Sequence, residues 1–475
     1  MMPGHGSNIG YRRIEMNKLA FLRHSGMGLT LSILLASCGW PGGVPEGMVS
    51  LAEELPPAPE KNVLIISFDA FRYDRMGAYG SDIGLTPNMD EFARDALVFD
   101  AAYVAGQATP SSFAAAFTGL NPFKVFRKWS LVETQTLAKV FQSNGYTTGG
   151  FFNNQYISEE RNFDQGFDAF QVMVNPTDLE PLNAIKGFLD EHGNDKFFAW
   201  VHFINPHSSY DYREMAEEFY SPDYTGEYEK QSGARVQSYD IEEMSEEDLD
   251  RIGELYNGEV HFADHRFGQV IEHVEKLGLK DDTLILMTAD HGEAYREHGV
   301  LGHHQLYEEV VRVPLILRHP GGGKGGRVEV PVSNIDFLPT LSSIAGLDYV
   351  AEATDGVDWR EPFDPDRPLL FTQMTNDLKY SMAMRRGDLK FLMWCTPKEN
   401  FKEELYHLGE DPDELTNLID DPEFAARADD MYQTWEEMID QHPCTAIETA
   451  LDGGDMLDGL DEEAIEKLRS LGYIQ

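Results

Sequence analysis

Asn62-Val-Leu-Ile-Ile-Ser-Phe68 restricts the fold of this chain more than any other stretch. A continuous apolar run rich in β-branched residues reads as a strand buried on both faces. Two more runs have the same character, Phe197–Phe203 and Thr283–Thr288. Helical patterns lie between them over Thr134–Ser143, Leu179–Glu191 and Glu246–Leu277. Buried strands alternating with helices predict an α/β fold with a doubly wound, mostly parallel sheet. In such sheets ligands bind beyond the carboxyl ends of the strands.

The residues at those ends are polar and specific. The first run stops at Asp69, the second near Asn205-Pro206-His207, and the third at Asp290-His291-Gly292. Oxygen and nitrogen donors at three strand ends suit a divalent metal. His298, His303 and His304 follow Asp290 closely, and this clustering favours ligand or general-acid work. His202 alternates within its strand and reads as a packed histidine, whereas His207 at the strand end is the site candidate. Arg72 either binds an anionic substrate or forms a structural ion pair.

In Thr109-Pro110-Ser111-Ser112-Phe113, Pro110 suits a first helical position, which makes Thr109 the natural N-cap. The same geometry supports a second reading. A hydroxyl at the positive end of a helix, beside a metal, is activated to attack the phosphorus or sulfur of an oxyanion ester.

From about Asp358 the pattern changes to short strands such as Leu369–Thr372 and Leu389–Trp394, then a helix over Glu423–Ile439. This predicts a smaller C-terminal α+β subdomain over 356–445, after a catalytic domain over 61–355. An acidic tail over 446–475 carries a terminal helix, Glu462–Leu471.

The formal net charge of −44 argues against a nucleic-acid partner, which needs clustered Lys and Arg, and reads as a solvated, self-repelling surface. At the amino terminus Arg12, Arg13, Lys18 and Arg23 precede the short apolar stretch Met27–Ser37, the pattern of an export signal over 1–37. It closes in Leu35-Ala36-Ser37-Cys38, which resembles a bacterial lipoprotein cleavage box and makes Cys38 the lipidated residue. Residues 38–60 are rich in Pro, Gly and Glu and read as a tether. The expected location is therefore the bacterial cell envelope, periplasmic or surface, with the lipid as the sole membrane anchor. In that oxidising setting Cys395 and Cys444 are able to pair if the fold brings them together.

Taken in order, the motifs resemble the sulfatase family of the alkaline phosphatase superfamily from about Lys61 onward. They are Asn62–Asp69, Arg72–Gly80, Thr86-Pro-Asn-Met-Asp90, Thr118-Gly-Leu-Asn-Pro122, His202–His207, Thr288–Glu293, Gly302–Glu309, Arg312–Leu317, Leu405–Pro412 and Leu468–Tyr473. The resemblance implies a metal-dependent hydrolase or transferase of phosphate or sulfate esters on small molecules, glycans or lipids. By position it makes Asp69, Asp290 and His291 metal ligands with Thr109 beside them. The ion is Ca, Mn, Mg or Zn, and the site holds one or two. It makes His207 and His303 substrate-binding or proton-donating groups, with Arg72 and His304 at the substrate.

The departures bear on the chemistry. Sulfatases use a Cys or Ser oxidised to formylglycine, within a Cys-x-Pro-x-Arg segment. Counting back from Thr118 places Thr109 at that position and Phe113 at the arginine, while counting from the proline places Ala108 there. Threonine cannot become formylglycine. The usual Lys-Trp-His segment is replaced by Gly149-Gly-Phe-Phe-Asn-Asn154. A threonine nucleophile therefore leans toward phosphoryl groups. The alternative is an inactive sulfatase scaffold kept as a surface binding lipoprotein.

Overall fold

The computed structural model describes residues 44–174, 177–230, 244–323, 325–373, 380–395 and 402–439. Its central sheet has eight strands: β1 (Asn62–Phe68), β2 (Leu97–Phe99), β3 (Thr147–Phe152), β4 (Ala169–Val172), β5 (Phe197–Phe203), β6 (Thr283–Ala289), β7 (Leu315–Arg318) and β8 (Gly326–Val328). Their spatial order is β8-β2-β7-β6-β1-β5-β3-β4. The stretch β6-β1-β5-β3-β4 is parallel throughout, and β7 runs antiparallel to both of its neighbours.

Every residue of β1, β5 and β6 is buried, so the apolar runs do belong to strands covered on both faces. Alternation along β1 sends Val63 and Ile65 to one core and Leu64, Ile66 and Phe68 to the other. The first core is closed by α2 (Thr109–Thr118), α3 (Leu137–Ser143) and α6 (Phe337–Ile344). The second is closed by α1 (Pro87–Ala93), α4 (Leu179–His192) and α5 (Glu246–Lys276). This is the three-layer, doubly wound architecture that the sequence predicts.

Helix boundaries follow local capping chemistry. Ser245 caps α5 by accepting the amide of Asp248 at 3.1 Å. The helix expected from Thr134 begins instead at Leu137, because the Thr136 hydroxyl accepts the Lys139 amide at 3.1 Å and so marks the cap. The helix expected from Glu423 begins at Ala425 as α7 (Ala425–Ile439).

The C-terminal part forms an antiparallel sheet of β9 (Leu369–Gln373), β10 (Tyr380–Arg386), β11 (Leu389–Cys395) and β12 (Lys402–His407). Trp435 of α7 packs edge-on to Phe391 of β11, with ring centroids 5.8 Å apart. Cys395 is disulfide-bonded, and the other two cysteines, Cys38 and Cys444, lie outside the described residues. The expected signal over 1–37, the lipidation at Cys38 and the tail over 446–475 also lie outside them.

The tether reading needs correction from Val44 onward. Val49 bridges to Phe363, the Ala58 amide donates to the Ile344 carbonyl at 2.7 Å, and Leu55 is fully buried. Three apolar side chains, Leu51, Leu55 and Ala58, join the first core, and burial of that surface holds the segment to the body. Among the described residues no helix is long and apolar enough to cross a membrane.

Candidate functional site

Strand register assembles the site. Phe68 lies opposite Phe203 on one side and Ala289 on the other. The next residue of each strand therefore emerges at the same edge. The ladder continues one step further, with the Asp69 amide donating to the Phe203 carbonyl at 2.9 Å and the Asp290 amide to the Phe68 carbonyl at 3.1 Å. Asp69 and Asp290 come from positions 221 residues apart in this way and meet at one sheet edge.

Asp69, Asp290 and His291 are all buried and present ligand atoms within 4.8 Å of one another. His291 Nδ1 faces the Gly292 carbonyl at 2.9 Å, and a carbonyl can only accept, so Nδ1 carries the proton. That leaves Nε2 as a bare lone pair, 3.4 Å from Asp69 Oδ1 and 3.7 Å from Asp290 Oδ2. Nε2 and Asp290 Oδ2 are buried and have no hydrogen-bond partner among the described residues. Three acceptors converging in a buried space is a costly arrangement without a cation between them, and one that fits a divalent ion.

The two carboxyls are held in different states. Burial works against ionisation of Asp69, but His207 and the nearby His202 hold its carboxyl well below the usual range. Burial and the charge of Asp69 push Asp290 up to about 8.

Thr109 stands beside this group. Its Oγ1 donates to Asp69 Oδ2 at 3.3 Å and accepts from Asn154 Nδ2 at 3.2 Å. Asn154 Nδ2 also donates to Asp69 Oδ2 at 2.8 Å. The N-cap expectation is corrected here: α2 is capped at Ala108, Thr109 is its first helical residue, and Ala108 supplies no side-chain cap. The first turn begins with the Ser112 amide donating to the Ala108 carbonyl at 2.9 Å, which leaves the Thr109 hydroxyl directed at Asp69.

The histidines gather on the same side. The His303 ring lies 4.2 Å from that of His291 and 5.1 Å from that of His207. His303 Nδ1 faces Glu293 Oε1 at 3.3 Å, and Tyr210 donates to the other oxygen of Glu293 at 3.1 Å. Burial and the neighbouring imidazoles press His303 well below its ordinary value. His304 is exposed, its ring 5.3 Å from that of His303. His298 stacks on Tyr307 at 3.6 Å instead.

Arg72 is committed elsewhere. It grips Asp74 with Nε and Nη2 at 2.9 and 2.8 Å, and its Nη1 serves Glu297 at 2.9 Å and the Glu293 carbonyl at 2.8 Å. These partners match the ion-pair reading and correct the substrate-binding one, because the fork is filled from within the chain.

His202 is packed, as its alternation indicates, but it is also part of the site's support. Trp200 Nε1 donates to Ser67 Oγ at 2.8 Å, Ser67 Oγ meets His202 Nδ1 at 3.0 Å, and His202 Nε2 faces Asp69 Oδ2 at 3.5 Å. Phe113, which the count back from Thr118 sets at the arginine of the sulfatase pattern, packs edge-on to His202 at 4.9 Å. Asn154 is the site residue that the sequence reading passed over. Its available signal was a polar Asn153-Asn154 pair directly after a strand whose last five residues are buried.

A family model described as Sulfatase matches residues 61–347. N-acetylglucosamine-6-O-sulfatase of Bacteroides thetaiotaomicron is 23% identical, over 84% of this chain and 90% of its own length. Arylsulfatase of Clostridium perfringens is 24% identical, over 78% of this chain and 92% of its own length. Phosphonate monoester hydrolase of Agrobacterium radiobacter superposes with a TM-score of 0.67 at 22% identity, covering 80% of this chain and 96% of its own.

Proposed function

The chain belongs to the sulfatase family of ester hydrolases, and on that premise we propose that it cleaves phosphate esters, in preference to sulfate esters, through Thr109. The observation that carries the reading is the Thr109 hydroxyl, which lies 3.3 Å from Asp69 Oδ2 and next to a convergent group of two carboxylates and an imidazole. Asp69, Asp290 and His291 would hold a divalent ion. When bound, such an ion supplies positive charge that favours an alkoxide and a crowded oxyanion. The nitrogen donor suits Mn or Zn better than Ca, which takes oxygen ligands.

The chain's own groups take the following parts. Asp69 accepts the Thr109 proton's hydrogen bond and Asn154 donates to the same oxygen, so the hydroxyl is oriented before reaction. The amino end of α2 favours negative charge growing on Oγ1. Oγ1 passes its proton along the hydrogen bond to Asp69 Oδ2 and forms a bond to phosphorus while the bond from phosphorus to the departing oxygen breaks, and that oxygen takes a proton from His303 or His207. An anionic ester arriving beside His303 favours the imidazolium that burial otherwise disfavours. Water then attacks the phosphorus of the phosphothreonine, giving a proton back to the histidine, while the bond from phosphorus to Oγ1 breaks and Asp69 returns its proton to restore the hydroxyl. A sulfated threonine would lack the aldehyde-hydrate release that formylglycine provides, which is why phosphoryl groups are preferred.

The proposal includes export, lipidation at Cys38 and a location at the cell envelope, supported by the residues of 1–38 alone. The deciding experiment supplies the purified chain with Mn or Zn and assays aryl phosphate, phosphodiester and sulfate esters, with acid quench and peptide mass spectrometry. Hydrolysis of a phosphoester with a phosphoryl group trapped on the Thr109 peptide is expected. Hydrolysis that survives Thr109→Ala, or a sulfate ester cleaved in preference, overturns it.

A further inference from the structure

Asp178 precedes α4 at its N-cap position, in the left-handed region at φ 53, yet its side chain makes no capping bond to its own helix. The carboxylate turns inward and is fully buried. Oδ1 accepts the Asn153 side-chain amide at 2.5 Å and the Ile204 backbone amide at 3.0 Å. Oδ2 accepts the Asn205 backbone amide at 3.2 Å. Burial pushes this carboxyl up to about 6 despite those three donors.

Each partner sits next to a residue of the site. Asn153 precedes Asn154, which donates to both Asp69 and Thr109. Asn205 lies two residues before His207. The loop after β5 is held from its other side as well. Glu259 of α5 accepts the Asn205 side-chain amide at 2.7 Å and the Asp211 backbone amide at 2.7 Å, and pairs with Arg213 at 2.9 Å. A buried carboxylate that, among the described residues, has no cation in direct contact and spends its bonds on two loops instead of on its own helix is expensive unless their spacing matters.

We propose that Asp178 is a positioning residue whose carboxylate fixes the loop bearing Asn154 against the loop bearing His207, and so sets the alignment of the Thr109 hydroxyl with the oxyanion-binding imidazoles. The inference rests on the reading of Thr109, Asn154 and His207 as the reacting site. Asp178→Asn is the informative change, because asparagine tolerates the left-handed backbone but in either orientation brings an NH2 to a place where a backbone amide already donates. Asn153→Ala is the milder companion and removes one strap only.

With the full chain loaded with Mn and an aryl phosphate as probe, Asp178→Asn lowers kcat by about 10–100-fold while metal content is unchanged, the loss typical of a small misalignment. Asn154→Ala then costs far less in the Asp178→Asn background than in wild type, since both act through one alignment. Amide exchange at 204–207 rises in Asp178→Asn. Unchanged kcat, or losses that multiply independently in the double variant, overturns the proposal. If wild type cleaves no ester, the functional reading fails separately. Amide exchange at 204–207 and the affinity for inorganic phosphate then decide: a rise in the first with a weakened second supports the strap, and no change in either overturns it. If Asp178→Asn does not fold, Asn153→Ala carries the same comparisons, with a several-fold loss of kcat expected and no loss overturning the proposal.

Discussion

Lys390→Met probes how the small C-terminal sheet is fastened to the loop that carries His303. Lys390 of β11 is fully buried between Glu308, at 3.1 Å, and Glu414, at 3.0 Å. Tyr103 donates to the far oxygen of Glu308 at 2.9 Å. Burial pushes Glu414 up to about 8, so it is mostly neutral at pH 7. Burial also acts against ionisation of Glu308, but Lys390, Arg385 and Arg312 hold its carboxyl below the usual range. Removing Lys390 strips Glu308 of its direct cation, and the buried carboxyl then takes up a proton. At pH 7, protonating a glutamate with an ordinary value near 4.5 costs about 3.4 kcal/mol, at about 1.36 kcal/mol per unit. That agrees with the roughly 3–5 kcal/mol measured when buried pairs are broken.

The sign follows from linkage. In the variant the folded-state value of Glu308 rises above its unfolded value, so stability is intact below about pH 4.5 and is lost as pH rises. The difference from wild type should therefore grow from near zero at about pH 4.5 to about 3.4 kcal/mol at pH 7, a drop in Tm of roughly 4 °C for a chain of this size. Urea and thermal unfolding at pH 5, 6 and 7 measure it, and adding Glu308→Gln should recover most of the loss. A difference below about 1 kcal/mol at pH 7, or one independent of pH, would refute the assignment of Lys390 as the charge that keeps Glu308 ionised.

Thr109→Val keeps the shape and removes the hydroxyl. Turnover should fall by at least about 10⁴-fold with Tm nearly unchanged, whereas Thr109→Ser retains activity within about tenfold; a valine variant within tenfold of wild type contradicts the nucleophile. Chelation followed by dialysis should abolish turnover, with Mn or Zn restoring it, and Asp290→Asn should weaken Mn binding in calorimetry by about 10–100-fold or more. Full activity of the chelated protein would contradict the metal reading. Phe113→Arg, which restores the arginine of the sulfatase pattern, should not raise activity. It buries a charge among Phe152, Trp200 and His202 and should cost several kcal/mol or yield insoluble protein. A soluble, more active variant would show that this position faces the substrate.

Much of the architecture was legible because its cause is local. Continuous apolar runs are stable only where both faces are covered, and β1, β5 and β6 begin at the predicted residues. The metal-ligating candidates were legible for the same reason, since each directly follows such a run. Helix starts were less so: α2 depends on which of the adjacent Ala108 and Thr109 takes the cap, and α3 on Thr136 rather than a residue near Thr134 doing so, choices that turn on the backbone entering the helix. Val44 to Glu60 reads as a tether by composition, yet Leu51, Leu55 and Ala58 find a core that the local sequence does not reveal.

The order of residues determined by itself the kind of strand and the donors at its end, since these are properties of single short segments. Only the tertiary structure decided which donors meet. Parallel register brought Asp69 beside Asp290, ion pairing drew Arg72 away to Asp74 and Glu297, and loop packing placed Asn154 against Thr109. Each outcome is a distance between groups remote along the chain, and such distances exist only once the sheet has closed.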